Sequence, residues 1–224
     1  MINGVYIILF NLGILISGKG TNLENIYNFT QKFSNKIRIS SVVCNNPEAL
    51  GIDIAKKNNL PLEIINHNKF IDRVSFEKEI DSVFSEKKVD LICNAGFMRV
   101  LTSWFVNKWL NKQINIHPSL LPSYPGLNTH KRAINEGVKF SGCTVHFVRS
   151  KLDSGPIINQ AVVPISPEDT EETLSKKILK AEHIIYPQAI RLISEKKLEV
   201  INNKVIYKEH FSPKEITINP SEGN

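Results

Sequence analysis

The sequence contains little cysteine, and its three cysteines are widely separated. Cys44, Cys93 and Cys143 form no Cys-x-x-Cys pair, so they predict neither a disulfide framework nor a zinc site. Each lies in or beside an apolar, strand-like run, where a small buried thiol is the common interpretation. This usage fits a reducing compartment, and we expect a cytoplasmic protein. No other spacing of His, Cys, Asp and Glu suggests a set of metal ligands, so we expect no metal.

The sequence also lacks an apolar run long enough to cross a membrane. The N-terminal run, residues 5–16, is interrupted by Asn11 and Gly13 and falls short of the roughly 20 residues that a spanning helix needs. It has neither the basic start nor the small-residue cleavage site of a signal peptide. We therefore expect a buried first strand here and no membrane partner.

Clusters of positive charge are absent as well. The formal net charge of the 224-residue chain is +6, but its lysines and arginines are scattered and do not form the patch that indicates nucleic-acid binding. A diffuse positive field attracts anionic small molecules. We expect small-molecule substrates and no nucleic-acid partner.

The chain is organised as short apolar runs that alternate with helical stretches. This alternation predicts an α/β fold with a doubly wound, mostly parallel sheet and helices on both faces. The strand-like runs are residues 13–17, 37–44, 62–65, 90–95 and 113–117, and the helical stretches between them are residues 23–33, 48–58 and 75–86.

The pattern changes after His117. A long helix begins at Asp169-x-x-Glu172, which is a capping-box pattern, and a small C-terminal hairpin follows it. We find no repeat or linker, so we expect one domain over residues 1–224, with its core at about residues 13–197 and a hairpin and frayed tail at residues 198–224. The predicted elements are a loop at 119–128, helices at 130–136 and 169–196, and strands at 141–148, 156–163, 198–200 and 205–207.

A turn with two glycines connects the first strand to the first helix. In Gly18-Lys19-Gly20-Thr21-Asn22, the glycines allow close approach to a ligand, and the new helix offers N–H groups and the positive end of its dipole. Thr21 or Asn22 is expected to cap the helix. The spacing matches neither a complete G-x-G-x-x-G motif nor a P-loop, which favours a single phosphate group over a dinucleotide or ATP. A simple tight turn is the alternative interpretation.

Two polar side chains end the fifth strand. Asn115 and His117 are two residues apart, so a strand points both to one face, and Pro118 stops the strand at once. An amide that donates hydrogen bonds and an imidazole that moves protons would then stand where open α/β sheets bind ligands. The alternative is that both residues only fix the following turn.

Asp153 lies in the loop between the last two strands of the predicted sheet, in Asp153-Ser154-Gly155. If this loop folds beside the end of the fifth strand, the carboxylate can accept a hydrogen bond from His117 and favour the protonated imidazole. An aspartate that only shapes the turn is the alternative. His146, within an apolar strand, either supports the site through a hydrogen bond or is a satisfied core histidine.

One acidic residue lies on the apolar face of the long helix. Ile178, Glu182, Ile185 and Ala189 share that face, so Glu182 points toward the core. A buried carboxylate needs a partner, which ligand hydroxyls, an arginine or a lysine would provide. The alternative is a position at the edge of the stripe with its head group in water.

Six short motifs that contain these residues occur in the order and at separations typical of one family. Together they closely resemble phosphoribosylglycinamide formyltransferase, the folate-dependent enzyme of purine synthesis, over about residues 13–197. The motifs are Gly18-Lys19-Gly20-Thr21-Asn22-Leu23, Ala95-Gly96-Phe97-Met98-Arg99-Val100-Leu101, Asn115-Ile116-His117-Pro118-Ser119-Leu120-Leu121-Pro122, Tyr124-Pro125-Gly126-Leu127, Val145-His146-Phe147-Val148 and Asp153-Ser154-Gly155-Pro156.

The resemblance implies a Rossmann-like formyltransferase fold and a specific reaction. A monomeric or homodimeric enzyme would transfer the formyl group of its co-substrate, 10-formyltetrahydrofolate, to the amine of glycinamide ribonucleotide, without a metal. The resemblance also implies roles for particular residues. The catalytic residues would be Asn115, His117 and Asp153, the phosphate and ribose of the amine substrate would be held by Gly20, Thr21, Asn22 and Glu182, and the reduced folate would contact Arg73, Met98, Arg99, Val100, Leu101, Arg149, Ser150, Lys151 and Leu152.

Other functions are less compatible with the sequence. Methionyl-tRNA formyltransferase carries a further C-terminal RNA-binding domain, and formyltetrahydrofolate deformylase carries an N-terminal regulatory domain. The residues outside the match are too few for either, which disfavours both enzymes and leaves a deformylase-like hydrolase as the alternative function. A non-catalytic phosphate- or folate-binding module would not need Asn115, His117 and Asp153 together.

Overall fold

The structure, a computed structural model, describes residues 9–209. Residues 5–8 of the predicted first strand, His210 and the tail from Ser212 lie outside the described residues. The strands are β1 (Phe10–Ile16), β2 (Ile37–Cys44), β3 (Leu62–Ile64), β4 (Leu91–Asn94), β5 (Gln113–His117), β6 (Phe140–Phe147), β7 (Ile157–Pro164), β8 (Leu198–Ile201) and β9 (Lys204–Tyr207). The α-helices are α1 (Thr21–Lys32), α2 (Gly51–Lys57), α3 (Arg73–Glu86), α4 (Ser103–Lys108), α5 (Thr129–Asn135) and α6 (Glu171–Ser194).

Seven strands form one sheet in the order β3-β2-β1-β4-β5-β6-β7, and β8 and β9 form a separate antiparallel hairpin. β1 pairs in parallel with both β2 and β4, and β2 pairs in parallel with β3. β6 and β7 are antiparallel. The predicted fold, a mostly parallel α/β sheet with a small C-terminal hairpin, is therefore confirmed.

The chain divides into two compact units, and the first contains the described residues up to Ile114. Its central strand β1 is a nearly continuous apolar run, in which Leu12, Ile14 and Leu15 are fully buried. Such a run is typical of a parallel strand that is covered on both faces. Gly13 has a packing role, because a Cβ atom at this position would lie 2.9 Å from a ring carbon of Phe84 on α3. The absence of a side chain lets α3 pack closely against the strand.

The second compact unit begins at Asn115. Helix α6 packs against β6 and β7 in this unit, and its buried face contains Ile178, Glu182, Ile185 and Ala189, as predicted. The amide of Asn159 on β7 donates a hydrogen bond to the Ile185 carbonyl, with an N–O distance of 3.0 Å.

The predicted cap of the long helix is wrong by one residue. The N-cap of α6 is Thr170, whose hydroxyl accepts from the backbone N–H of Thr173, and the two residues form a reciprocal capping box. Asp169 lies one residue before the cap, where one carboxylate oxygen accepts from the Ser166 N–H at 2.8 Å and pairs with Lys177 Nζ at 2.6 Å. Its other oxygen accepts from the Thr173 hydroxyl at 2.8 Å, so Asp169 supports the start of the helix without being its N-cap.

Helix α4 was not predicted from the sequence. It has six residues, too few for a 3.6-residue periodicity to be visible. A buried carboxylate holds its start, since Glu77 on α3 accepts hydrogen bonds from both the backbone N–H and the hydroxyl of Thr102. This contact depends on a residue 25 positions earlier in the chain, which no local pattern indicates.

Candidate active site

Strand β5 ends at His117, as the following proline predicts. The His117 side chain is buried, and Asn115 is half-buried. The structure brings both residues to one group of side chains, since Asn115 contacts His146, His117 contacts Asp153, and His146 lies beside Asp153. The three residues proposed to be catalytic thus converge within the second unit, together with His146.

Both ring nitrogens of His117 face hydrogen-bond acceptors. Nδ1 lies 3.5 Å from Asp153 Oδ2, and Nε2 lies 2.9 Å from the Tyr124 carbonyl oxygen. A carbonyl oxygen can only accept, so we assign a proton to Nε2. The ring is therefore held between a carboxylate on one side and, on the other, the backbone of the loop at residues 119–128, called the Pro-Gly loop after Pro125 and Gly126.

The Asp153 carboxylate is held in place by its own loop. Its side chain is only 7% exposed, and Oδ2 accepts a hydrogen bond of 2.8 Å from the Gly126 N–H. The residue has a φ of 48°, a left-handed conformation that aspartate tolerates better than most residues do. Asp153 is therefore a turn residue, as one interpretation of its sequence predicts, and its carboxylate also lies beside the His117 ring. Its role as a hydrogen-bond acceptor for His117 stays a prediction.

His146 is a buried, neutral ring that orients Asn115. Its Nδ1 lies 3.0 Å from the Phe147 carbonyl oxygen and must carry the proton, so Nε2 accepts from Asn115 Nδ2 at 3.3 Å. Burial lowers the pKa of His146 below its usual value, although the Phe147 carbonyl and Asp153 act in the opposite direction. His146 is thus a satisfied core histidine and also a support for the site.

The Pro-Gly loop is fixed by a buried threonine. Thr144 Oγ1 donates to the Ser119 carbonyl at 2.6 Å and accepts from the Leu121 N–H at 3.1 Å. Gln160 Nε2 lies 2.9 Å from both Thr144 Oγ1 and the Leu121 carbonyl. These contacts secure the loop whose carbonyl at Tyr124 meets His117.

The roles of Tyr124, Gly126 and Thr144 could not be predicted from the sequence. The first two lie in a recognised motif, Tyr124-Pro125-Gly126-Leu127, but they contribute backbone groups, which side-chain chemistry does not reveal. Tyr124 is also fixed by Arg132, whose guanidinium carbon lies 5.1 Å from the centre of the tyrosine ring. The hydrogen bond that the tyrosine hydroxyl donates to Glu136 raises the pKa of Tyr124.

In the first unit, the glycine turn precedes α1 as predicted. Gly20 has a φ of 76°, and a Cβ atom there would lie 2.6 Å from Gly51 Cα, so only glycine fits. Gly20 is itself the N-cap, and no side chain caps the helix. The expectation that Thr21 or Asn22 caps α1 is therefore wrong. The N–H groups of the first turn have no acceptor within the helix and can meet an anion.

The segments expected to contact folate have mixed exposure. In the first unit, Met98 is 74% exposed and Val100 is 52% exposed, whereas Leu101 is buried. The guanidinium carbon of Arg99 lies 5.6 Å from the centre of the Phe76 ring, and Arg73 is exposed at the start of α3.

The second segment expected to contact folate lies in the second unit. Arg149 donates to the Val148 carbonyl at 2.9 Å and to Asn203 Oδ1 at 3.0 Å. Ser150, Lys151 and Leu152 are exposed. The arginine is thus fixed by backbone and by the β8–β9 turn, and the three residues after it face solvent.

Glu182 is buried, as the helical pattern predicts. Its negative charge acts on Cys143 in β6, where burial is the main cause that raises the pKa of the thiol to about 12. No disulfide joins the three cysteines, all of which are described and buried.

Within residues 9–209, none of the helices has the length and apolar composition needed to cross a bilayer. Within the same range, no group of three or more His, Cys, Asp or Glu side chains is arranged to hold a metal ion.

Comparison with known proteins places these features in a family context. A family model described as "Formyl transferase" matches residues 10–190. The chain is 42% identical over 183 residues to the trifunctional purine biosynthetic protein adenosine-3 of Bos taurus. The aligned region covers 82% of this chain and 18% of that protein. The chain thus spans less than a fifth of the length of this relative.

Shorter relatives match over nearly their whole length. The chain is 38% identical over 192 residues to the phosphoribosylglycinamide formyltransferase of Haemophilus influenzae. The aligned region covers 86% of this chain and 91% of that protein. The crystal structure of phosphoribosylglycinamide formyltransferase from Anaplasma phagocytophilum has a TM-score of 0.84 and 42% identity, and covers 92% of this chain and 97% of that one.

Proposed function

The chain belongs to the formyl transferase family, and we propose that it transfers the formyl group of 10-formyltetrahydrofolate to the amine of glycinamide ribonucleotide. The products are formylglycinamide ribonucleotide and tetrahydrofolate, and the reaction belongs to purine biosynthesis. The observation that carries this proposal is the contact of His117 with Asp153, beside an Asn115 amide oriented by His146. An amide donor, an imidazole and a carboxylate are the groups that acyl transfer to an amine requires.

The folate co-substrate supplies an activated formyl carbon for the amine to attack. Asn115 uses one amide N–H for His146, and the other can donate to the formyl oxygen as negative charge develops there. His117 provides a second donor when its Nε2–H releases the Tyr124 carbonyl and donates to the formyl oxygen instead. A preorganised donor of this kind contributes roughly 3 kcal/mol of transition-state stabilisation.

The same imidazole can move the proton that the transfer requires. The attacking amine loses a proton, and the departing folate nitrogen gains one. Protonated His117 can deliver a proton to that nitrogen and, once neutral, take up the proton that the amine loses. Asp153 stabilises the positive charge of the ring and holds its orientation. Neither a covalent enzyme intermediate nor a metal is needed for this sequence of steps.

Other residues are proposed to bind the two substrates. The turn formed by Gly20, Thr21 and Asn22 would hold the phosphate of the ribonucleotide, because it presents backbone N–H groups at the start of a helix. Glu182 would accept hydrogen bonds from the ribose. The exposed side chains Met98, Val100 and Leu152, with Arg73, Arg99, Leu101, Arg149, Ser150 and Lys151, would contact the folate.

We also propose that residues 1–224 act as one formyltransferase domain, since the family match at residues 10–190 includes parts of both units. The three buried cysteines without a disulfide favour the reducing cytoplasm. Small molecules are the proposed partners, and the protein would act as a monomer or a homodimer.

A single experiment distinguishes this function from its rivals. Purified protein is incubated with 10-formyltetrahydrofolate, with and without glycinamide ribonucleotide, and tetrahydrofolate release is measured. Release only with the amine acceptor supports the transferase. Release without the acceptor identifies a deformylase-like hydrolase, and the absence of release under both conditions would contradict both enzymes.

A further inference from the structure

The turn that follows β1 and the segment that follows β4 meet at one edge of the sheet. The two strands are parallel neighbours, with Leu15 opposite Asn94, and β2 flanks β1 on its other side. The connections diverge here, because β2 and β3 continue the sheet on one side of β1 and β4 continues it on the other. Such a switch point, at the carboxyl ends of the strands, is where open α/β sheets bind their ligands.

Ser17 is the residue that joins these segments. Its N–H donates to the Gly96 carbonyl at 3.2 Å, and its Oγ accepts from the Met98 N–H at 2.9 Å. The hydroxyl donates in turn to Asn45 Oδ1 at 2.6 Å. Because the Met98 N–H can only donate, the hydroxyl proton must point to Asn45, so the network has one defined direction. Ser17 is only 9% exposed.

Each side of this junction leads to a proposed substrate-binding segment. Gly18 follows Ser17 directly, and its carbonyl accepts from the Gly51 N–H at 2.9 Å, which fixes the start of the glycine turn. Met98 opens the segment at residues 98–101, whose other end is fixed by the bonds from Thr102 to Glu77. The Ser17 hydroxyl is therefore the side-chain group that links the turn to the segment, in addition to the backbone bonds between the two strands.

We propose that Ser17 is a positioning residue that couples binding of the phosphate-bearing substrate to binding of the folate. The inference rests on the proposed function, because it assigns the turn at residues 18–22 to one substrate and residues 98–101 to the other. A substrate that orders one segment also orders the other through the Ser17 hydroxyl. Because such coupling is reciprocal, each substrate then tightens the binding of its partner.

The test measures this coupling directly. Tetrahydrofolate is titrated into the protein with and without glycinamide ribonucleotide, and KM for 10-formyltetrahydrofolate is determined separately from kcat. We expect wild-type protein to bind tetrahydrofolate about 5-fold more tightly when the ribonucleotide is present, within the usual range of such coupling. In Ser17→Ala this ratio should fall to near 1, and KM for the formyl donor should rise more than kcat falls.

Ser41 supplies a matched control. It is a buried serine on the neighbouring strand β2, and among the described residues its hydroxyl has no hydrogen-bond partner. Ser41→Ala therefore removes the same atom from the same sheet without breaking a contact. We expect it to leave the coupling ratio and the KM unchanged. A loss of coupling in both variants would contradict the inference.

A second variant covers the case in which Ser17→Ala does not fold. Ser17→Cys fills the space of the hydroxyl with a somewhat larger thiol that is only a weak donor and acceptor, so we expect a partial loss of coupling. If the folded Ser17 variants keep the coupling ratio of the wild-type protein, the inference is overturned and the proposed function stands. The same holds if the wild-type enzyme is active but its own coupling ratio is near 1. A wild-type protein without turnover or ligand binding would overturn the proposed function, and the inference would fall with it.

Discussion

The Asn115 amide nitrogen lies 3.3 Å from His146 Nε2, and the protonated Nδ1 of that ring faces the Phe147 carbonyl. His146 Nε2 can therefore only accept a hydrogen bond from the amide, so the nitrogen of the Asn115 amide, and not its oxygen, must face this ring. A neutral His146 is required for this arrangement, because a protonated ring would place two donors against each other. The protonation state of one buried ring thus determines the orientation of a proposed catalytic amide.

The buried histidine predicts a loss of stability in mild acid. The pKa of His146 is lowered from 6.5 in the folded protein, so the unfolded chain takes up a proton more readily. This contribution to stability is complete above about pH 6.5 and declines as the pH falls toward the folded pKa. His130, whose pKa is also lowered by burial, acts in the same direction.

Urea unfolding at pH 7.5 and pH 5.5 checks this expectation. We expect the free energy of unfolding to be lower at pH 5.5, and the difference to shrink in His146→Gln, which cannot titrate. An equal difference in both proteins would show that His146 does not cause it.

The glycine turn predicts contrasting effects at two nearby positions. Gly20→Ala places a Cβ atom 2.6 Å from Gly51 Cα at a φ of 76°, so we expect a loss of about 2 kcal/mol or more in the free energy of unfolding. A Cβ atom at Gly18 would meet nothing within 4 Å, so Gly18→Ala should change stability little. Thermal unfolding of the two variants measures the contrast, and equal losses would contradict it.

Thr144 is predicted to control the loop that contacts His117. Thr144→Val keeps the shape of the side chain but leaves the Ser119 carbonyl and the Leu121 N–H without this partner, at a cost of about 2 kcal/mol. We also expect kcat to fall, since the carbonyl of Tyr124 is carried by the same loop. Urea unfolding and steady-state kinetics measure the two effects.

Ser141→Ala on the same strand is the control for Thr144→Val. This buried hydroxyl has no hydrogen-bond partner within the described part of the chain. We expect near wild-type stability and kcat in Ser141→Ala. Losses as large as those of Thr144→Val would show that any change of a buried hydroxyl on β6 has this effect, and not the loss of the Thr144 bonds.

The sequence predicted the parts of this molecule that depend on local pattern. An apolar run and the proline after it predicted the observed bounds of β5, Gln113–His117. Helical periodicity predicted that Glu182 lies on the buried face of α6. The cap of α6 could not be predicted reliably, because Asp169 and Thr170 are both good caps. The choice depends on Lys177 and Ser166, which engage Asp169 in three dimensions.

The candidate site shows the same limit. Side-chain chemistry pointed to Asn115, His117 and Asp153 because those groups suit acyl transfer. It could not indicate that the Tyr124 carbonyl and the Gly126 N–H complete the contacts of the pair. Backbone groups are the same at every residue, so only the folded loop reveals which of them serve the site.

If the His117–Asp153 pair performs the proton transfer, formyl transfer must slow when either residue is replaced, and kcat in Asp153→Asn and His117→Asn measures this. Both variants should retain the wild-type fold by circular dichroism. We predict that kcat falls by roughly 100- to 10,000-fold in each, as expected for the loss of general acid–base catalysis. A kcat within a factor of two or so of wild type in either folded variant would contradict the account.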